Sequence, residues 1–375
     1  MNSLKENQKD KLRDLCLRLL DQRNSRILVP PLGETTGFWF GGGNLVQQKN
    51  GKILVSGRYR NHGDARTGTG VGARGLEFGI FQADSCDSEF KKIFSLSKND
   101  LSHKHEVISI EGGCLLPSML DENKFELFVS TEKNIPYPKK LINFQKPGTG
   151  VWSIDLLCGS VGIDSLNKEK IRTIHQSEDP QSLHVKDPVA FRMNESRTEL
   201  VFCHHSFSWS SSNTGLCIRN ESQGEKCFSQ VDNNVLSREN SWDVACTRVT
   251  ERLPVPRIGC FQDLPDLSLY FYDGAECLRP LEENARASTR PRGYSCEELG
   301  GLAWGWDNEF PKMEKLSIDF PLFISPYGSG CSRYTSALSM QDGSIMATWQ
   351  QGQSKGSQPL VSNLLSANEV KRILS

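Results

Sequence analysis

The stretch QQKNGKILVSG, residues 47–57, joins a polar turn to a short apolar run, which is typical of a hairpin turn that leads into a strand. Stretches of the same form recur along the chain: DENKFELFVS (121–130), NESRTELVFC (194–203) and MQDGSIMATW (340–349). In each case another apolar segment with glycine or polar flanks comes before the turn. Because the unit recurs about every sixty to eighty residues, the sequence predicts a repeat of four-stranded blades.

Five segments qualify as the first strand of such a unit: GFWFGGGNLV (37–46), VISIEGGCLL (107–116), LHVKDPVAF (183–191), SWDVACTRVT (241–250) and GSGCSRYTSALSM (328–340). A third strand is clear in the first three units but hard to place in the last two. We therefore expect an all-β fold, a five-bladed β-propeller. A six-bladed propeller is the second possibility, and an irregular β-sandwich is the third.

The composition indicates a globular protein without a global preference for polyanions. Of 375 residues, 37% are apolar and 24% are charged, and the formal net charge is −1. We therefore expect no nucleic-acid or membrane partner. Leucines at helical spacing (12, 15, 19 and 20) predict an amphipathic helix within an N-terminal lead-in, residues 1–30, before a single catalytic domain, residues 31–375.

The N-terminal segment carries charges throughout and lacks the apolar core of a secretory signal, so we expect a cytoplasmic protein. Twelve cysteines are scattered without a Cys-x-x-Cys pair, which favours buried thiols over disulfides or a zinc site. No motif for a cofactor is present, and we expect none.

The glycine-rich stretch GRYRNHGDARTGTGVGARGLEFGIF, residues 57–81, lies between two strand-like segments. A nucleotide-binding loop requires a helix directly after its glycines, whereas here a strand follows. In a propeller this loop would place Arg58, Arg60 and Asp64 at the mouth of the central channel. The alternative is a surface loop whose arginines pair with scattered acids.

Polar residues on the first strands would converge on the channel: Glu111, Asp187, Asp243, Arg248, Arg333 and Tyr334. Others end the second strands and would surround its mouth: Glu132, His204, His205, Asp273, Glu276 and Gln350. Crowded carboxyl groups shift one another's pKa, and a neutral acid beside an ionised carboxylate can hydrolyse a glycosidic bond. Arginines beside them favour an anionic sugar.

Each of these residues also has a structural interpretation. Asp187 is placed to cap a turn before Pro188, and the two histidines suit ordinary positions at a strand edge. Trp209, in SFSWSSSNTG, suits stacking on a sugar or an ordinary polar turn. The stretch RPRGYSCEELGGLAWGWDNEF, residues 290–310, reads as a long loop insertion.

Two short motifs resemble the five-bladed propeller glycoside hydrolases, the arabinofuranosidase, xylosidase and invertase clans. HVKDPVAF followed by ELVFC resembles their Asp-Pro opening strand, which implies that Asp187 positions the substrate and tunes the acid. SIEGGCLL resembles the strand that carries their general acid, which implies that role for Glu111. YDGAEC, residues 272–277, resembles the invertase Glu-Cys element.

A second resemblance is to sialidases, which are six-bladed. NLVQQKNGKILVSGRYRNHGD (44–64) resembles their first blade, in which an arginine precedes the acid/base aspartate; the matching residues are Arg58 and Asp64. SRYTSALSMQDGSIMATW (332–349) resembles their last blade, which implies Tyr334 as nucleophile with Glu276 as its base. The leading hypothesis is a glycosidase acting on a small-molecule or oligosaccharide substrate. The alternatives are a sialidase-like hydrolase, a lyase or phosphorylase on the same scaffold, a non-catalytic sugar-binding propeller and a protein-interaction propeller.

Overall fold

The computed structural model describes residues 3–60, 74–119, 124–160, 171–221, 227–276 and 297–375. In these residues the chain forms five antiparallel sheets. The innermost strands of neighbouring sheets contact one another in a closed ring. The fold is a five-bladed β-propeller, as the sequence predicts, and the described sheets leave no sixth blade. Asp64 lies outside the described residues.

Two elements come before the first blade: helix α1 (Glu6–Leu19) and strand β1 (Arg26–Val29). Blade 1 contains β2 (Trp39–Gly41), β3 (Leu45–Gln47), β4 (Ile53–Arg60), β5 (Glu77–Ala83) and β6 (Lys91–Ser97). After helix α2 (Lys98–Leu101), blade 2 contains β7 (Val107–Pro117), β8 (Lys124–Lys133), β9 (Val151–Ser160) and β10 (Arg172–His175). Blade 3 contains β11 (His184–Asn194), β12 (Arg197–His205), β13 (Asn213–Asn220) and β14 (Ser229–Leu236).

Blade 4 contains β15 (Cys246–Pro254), β16 (Leu267–Ala275), β17 (Leu299–Trp306) and β18 (Glu314–Lys315). Blade 5 contains β19 (Ser332–Ser339), β20 (Ile345–Gln351) and β21 (Leu360–Leu365), and helix α3 (Ala367–Leu374) follows it. The fourth strand of blade 5 is β1, which pairs antiparallel with β21. Residues 1–30 therefore supply a blade strand in addition to the predicted helix.

The hydrophobic core consists of layers between neighbouring blades. Between blades 2 and 3, for example, Phe128 and Leu156 pack with Leu200 and Phe202, all at most 1% exposed. Corresponding clusters join each of the other neighbouring pairs around the ring. Fully burying one such side chain contributes about 1.5–3 kcal/mol, so these layers hold the blades at fixed angles around the channel.

The predicted amphipathic helix is confirmed as α1. Its leucines 12, 15 and 19 are fully buried, and the helix contacts α3, β20 and β21. Most described cysteines are buried, and no disulfide joins any of them. No helix in the described part of the chain is long and apolar enough to cross a membrane.

The interpretation of residues 290–310 as one loop is wrong for its second half, which forms β17. Strand propensity does not predict β17, because glycine is uncommon in strands and this strand contains two adjacent glycines. A Cβ on Gly301 would lie 2.5 Å from the Tyr272 ring, and one on Gly300 would lie 2.8 Å from the Phe323 ring. The glycines thus make room for aromatic rings that cover the strand.

Each innermost strand is irregular next to predicted site residues. Bulges or register shifts fall between residues 110 and 113 of β7, 186 and 189 of β11, 249 and 251 of β15, and 333 and 336 of β19. In blade 1 the innermost strand is interrupted, and its two parts are β2 and β3. Because a bulge redirects the side chains next to it, these irregularities decide which residues face the channel.

Candidate active site

Asp187 and Tyr334 lie at two of these bulges and form the centre of the site. Both have left-handed backbone conformations, with φ of 53° and 51°. Such conformations cost about 1–3 kcal/mol for non-glycine residues and persist only where the surroundings fix them. The Tyr334 hydroxyl donates to Asp187 Oδ1 at 3.3 Å, and the Asp187 N–H donates to Ser130 Oγ at 3.1 Å. The unusual backbone thus turns both side chains toward each other.

Arg248, on β15, connects three carboxylates, one from blade 3 and two from blade 4. Its guanidinium lies 3.0 Å from Asp187, 2.6 Å from Asp273 and 2.6 Å from Glu298, and the residue is 1% exposed. Burial raises the pKa of Asp273 more than Arg248 lowers it. Arg333 pairs with the other oxygen of Glu298, so the arginines of blades 4 and 5 share this one carboxylate.

Arg58, at the end of β4, pairs with Glu111 at 2.7 Å. Arg58 is 1% exposed, and its Nη1 has no hydrogen-bond partner in the described part of the molecule. The guanidinium carbons of Arg248, Arg333 and Arg58 lie 4.1, 5.3 and 5.6 Å from the centre of the Tyr334 ring. Three buried cations therefore surround one phenol.

Glu111 and Glu132, both in blade 2, have opposite pKa shifts. Burial by itself would raise the pKa of Glu111, but Arg58, Lys186 and Arg60 outweigh it and hold that pKa well below its usual range. Burial raises the pKa of Glu132, and the negative charge of Glu111 adds to this, against Arg74 and the Gly150 N–H. Glu111 is thus the ionised carboxylate and Glu132 the better proton carrier.

The phenol of Tyr334 stays protonated, because burial raises its pKa far above the usual range despite the nearby Arg248. The same bulges line a small, partly open pocket. Its wall includes Gly42, Asn44, Gly112, Pro188, Thr250 and Tyr334. Four of its lining residues are glycines, so few side chains fill the space next to the charged cluster.

Most of the predicted site residues lie around this centre. Glu111, Asp187, Arg58, Arg248, Arg333 and Tyr334 are joined by the contacts above. Arg60 stacks over Trp39 at 4.2 Å, and Glu132 and His205 lie buried at the ends of β8 and β12.

Asp243 does not join them. β15 begins three residues after it, at Cys246, and the carboxylate instead pairs at 2.6 Å with Lys315 of β18, the outermost strand of blade 4. The expectation that Asp243 faces the axis placed the start of this strand too early.

Three other predicted residues take no part in the contacts described above. His204 Nε2 bonds to the Asn233 carbonyl at 2.6 Å, and its ring packs near Phe202 within the blade. Glu276 is exposed just after β16. Trp209 is half-buried in the loop after β12.

Glu298 and Lys186 are site residues to which the sequence assigned no role. Glu298 directly precedes β17, the strand that the glycines concealed, so its position relative to a blade was not visible. Lys186 adjoins Asp187 on a recognised strand, and that adjacency was the available signal. No cluster of three or more potential metal ligands occurs among the described residues.

Comparisons with known proteins place the chain by fold. No family model matches it, and no curated protein matches its sequence. A solved glycoside hydrolase has a TM-score of 0.63 at 12% identity, over 96% of each chain. The chain has the fold of propeller glycoside hydrolases.

Two further solved structures are similar. A structure of BT0996 described as an RGII complex has a TM-score of 0.62 at 12% identity over 95% of each chain. A structure from work on the GH130 family, described as mannoside phosphorylases that include hydrolases of β-1,2 mannosidic linkages, gives 0.54 at 11% identity over 91% of this chain and 92% of the other.

Proposed function

We propose that the protein is a glycoside hydrolase that cleaves an anionic sugar at Glu111 and Asp187. The observation that carries this proposal is the close approach of these two residues on adjoining inner strands, β7 and β11. The Gly112 N–H, next to Glu111, donates to Asp187 Oδ1 at 3.2 Å. Glycosidic hydrolysis requires an acid and a base, and Glu132 on β8, the strand paired with β7, supplies the second carboxyl group of this pair.

The pKa shifts divide the chemical roles. Glu111 is held ionised, so it serves as base or nucleophile rather than as the proton donor that the sequence resemblance implies. Glu132, with its raised pKa, supplies the proton to the leaving oxygen. Asp187, fixed by Arg248 and Tyr334, orients the sugar next to Glu111.

The buried arginines are the reason for proposing an anionic substrate. Arg58 Nη1 and Trp39 Nε1 are buried donors without a hydrogen-bond partner in the described chain. A buried donor left unpaired costs about 1–3 kcal/mol, which a ligand acceptor would recover. A guanidinium binds a carboxylate or sulfate through two parallel hydrogen bonds, so a sugar acid fits this side of the site.

The test is release of reducing sugar from a panel of neutral and acidic glycosides. We expect the wild type to cleave an acidic glycoside, and Glu111→Gln and Asp187→Asn to lower kcat/KM by about 10²–10⁴-fold. Glu276→Gln, which changes an exposed carboxylate, serves as the matched control. Unchanged activity in both site variants would discard the assignment. Turnover that needs added phosphate would identify a phosphorylase, and binding without turnover a sugar-binding propeller.

A second candidate is a sialidase-like hydrolase with Tyr334 as nucleophile. The three guanidiniums around its ring and the bond from its hydroxyl to Asp187 favour this alternative. Because the phenol is protonated, attack would require Asp187 to accept its proton. Mass spectrometry of a trapped glycosyl-enzyme decides between the two: a label on Tyr334 supports this candidate, and a label on Glu111 supports the first.

A further inference from the structure

Blade 3 carries a second group of buried polar side chains beside Glu111. Lys186, on β11, is 8% exposed, and His205, at the end of β12, is 5% exposed. The positive charge of Lys186 acts on both neighbours, because it contributes to the lowered pKa of Glu111 and of His205. Because β11 pairs with β12 and contacts β7, Lys186 lies on the strand between those that carry His205 and Glu111.

The Lys186 ammonium has no counter-ion among the described residues, since none of their carboxylates lies within 4.0 Å of it. Its Nζ lies 5.6 Å from the centre of the Trp152 ring, which supports the side chain through a cation–π contact. An almost buried cation without an ion pair is costly unless it donates hydrogen bonds, so its protons call for oxygen acceptors.

His205 supplies the complementary acceptor. Its Nδ1 lies 2.6 Å from the Ser206 carbonyl, which can only accept, so the proton is on Nδ1 and Nε2 presents a lone pair. Nε2 is buried without a partner in the described chain. Burial, aided by Lys186 and His184, holds the pKa of His205 well below its usual range, so the ring is neutral.

A donor next to an acceptor selects the ligand chemistry. A carboxylate would satisfy Lys186, but its oxygens would face the lone pair of His205. A hydroxyl group satisfies both, since it accepts from an ammonium and donates to an imidazole nitrogen. The arginine side of Glu111 is built differently, because Arg58 offers donors alone. The two sides of Glu111 thus suit different sugar units.

We propose that Lys186 and His205 form a second subsite that binds the hydroxyl groups of a neutral sugar on the far side of Glu111 from Arg58. The proposal rests on the function proposed above, in which the anionic sugar lies on the arginine side. The substrate would then be a mixed glycoside, with an acidic unit joined to a neutral unit at the bond that Glu111 attacks.

The test measures binding of neutral methyl glycosides of galactose, glucose, mannose, xylose and arabinose by saturation-transfer NMR and titration calorimetry. We expect at least one to bind the wild type, and Lys186→Met and His205→Phe each to weaken it at least tenfold. His204→Phe is the matched control: it also loses one 2.6 Å bond to a carbonyl, but within the blade. Should His205→Phe fail to fold, Lys186→Met decides.

The outcomes separate this proposal from the proposed function. If no methyl glycoside binds the wild type, or if both subsite variants bind like the wild type, the subsite is overturned even where hydrolysis of an acidic glycoside is found. Equal loss in His204→Phe also overturns it. If binding follows the expectation and persists in Glu111→Gln while no glycoside is cleaved, the subsite stands and the hydrolase assignment fails.

Discussion

The stability of the protein should depend on the protonation of Glu251, a residue of β15. Burial raises its pKa to about 7, against hydrogen bonds from the Ser336 hydroxyl and the Arg252 N–H. The folded state therefore binds a proton more strongly than the unfolded chain. The contribution of protonated Glu251 to the free energy of unfolding is fully present below the pKa of this group in the unfolded chain. It is lost as the pH rises through about 7. We expect urea unfolding to show a loss of about 2 kcal/mol between pH 5 and pH 8.

The Glu251→Gln variant isolates this effect, because the amide keeps the size of the side chain and cannot ionise. Its free energy of unfolding should depend on pH less steeply than that of the wild type. Parallel pH profiles for the two proteins would show that another group is responsible. Sequence patterns gave no hint of this shift, because it arises from chain segments that meet only in the folded protein.

The same limit applies to the site residues. Glu111 and Asp187 were predictable because each follows an apolar strand pattern at a channel position. The pairing of Arg248 with Asp187, Asp273 and Glu298 was not, because it joins residues up to 111 positions apart in the chain. Opposite pKa shifts in Glu111 and Glu132 depend in turn on such partners. Residue types could be proposed from sequence, but protonation states could not.

At the scale of elements, the bulges of the innermost strands build the site, and Gly112 tests their role. A Cβ at this position would lie 2.8 Å from Asp187 Oδ1 and 3.2 Å from the Gly42 carbonyl oxygen. In Gly112→Ala the carboxylate of Asp187 must therefore move. We expect kcat/KM on the acidic glycoside to fall about 10²-fold, because small displacements of positioned groups are costly.

Gly79→Ala is the matched control, since this glycine lies in β5, the third strand of blade 1, where the new methyl meets a movable Phe81 ring at 3.1 Å. Its activity should remain near that of the wild type. Equal losses in both variants would point to a general effect on strand stability. The strands themselves were largely predictable from alternating apolar residues, whereas the bulges and the glycine-rich β17 depend on packing between strands.

At the scale of the whole molecule, the two ends of the chain close the ring. β1 completes blade 5 by pairing with β21, and α1 packs on α3 directly after that blade. A closed ring leaves no blade interface open, so loss of the closure should weaken the entire propeller. The repeat predicted five blades, but it did not reveal which segment supplies the last strand, because β1 is only four residues long.

Two leucines of α1 test whether the closure supports the whole fold. Leu15 is fully buried against the core between blades 4 and 5, whereas Leu17 is 46% exposed on the same helix. Leu15→Ala removes buried methyl groups and leaves a cavity, so we expect a loss of about 2–5 kcal/mol in the free energy of unfolding. Leu17→Ala should change it by less than about 0.5 kcal/mol.

Urea unfolding followed by tryptophan fluorescence measures both variants, because the tryptophans are spread over several blades. If Leu15→Ala unfolds in a single transition at lower urea concentration, the closure through the chain ends supports the whole fold. A separate transition at still lower urea would show instead that α1 detaches without affecting the blades.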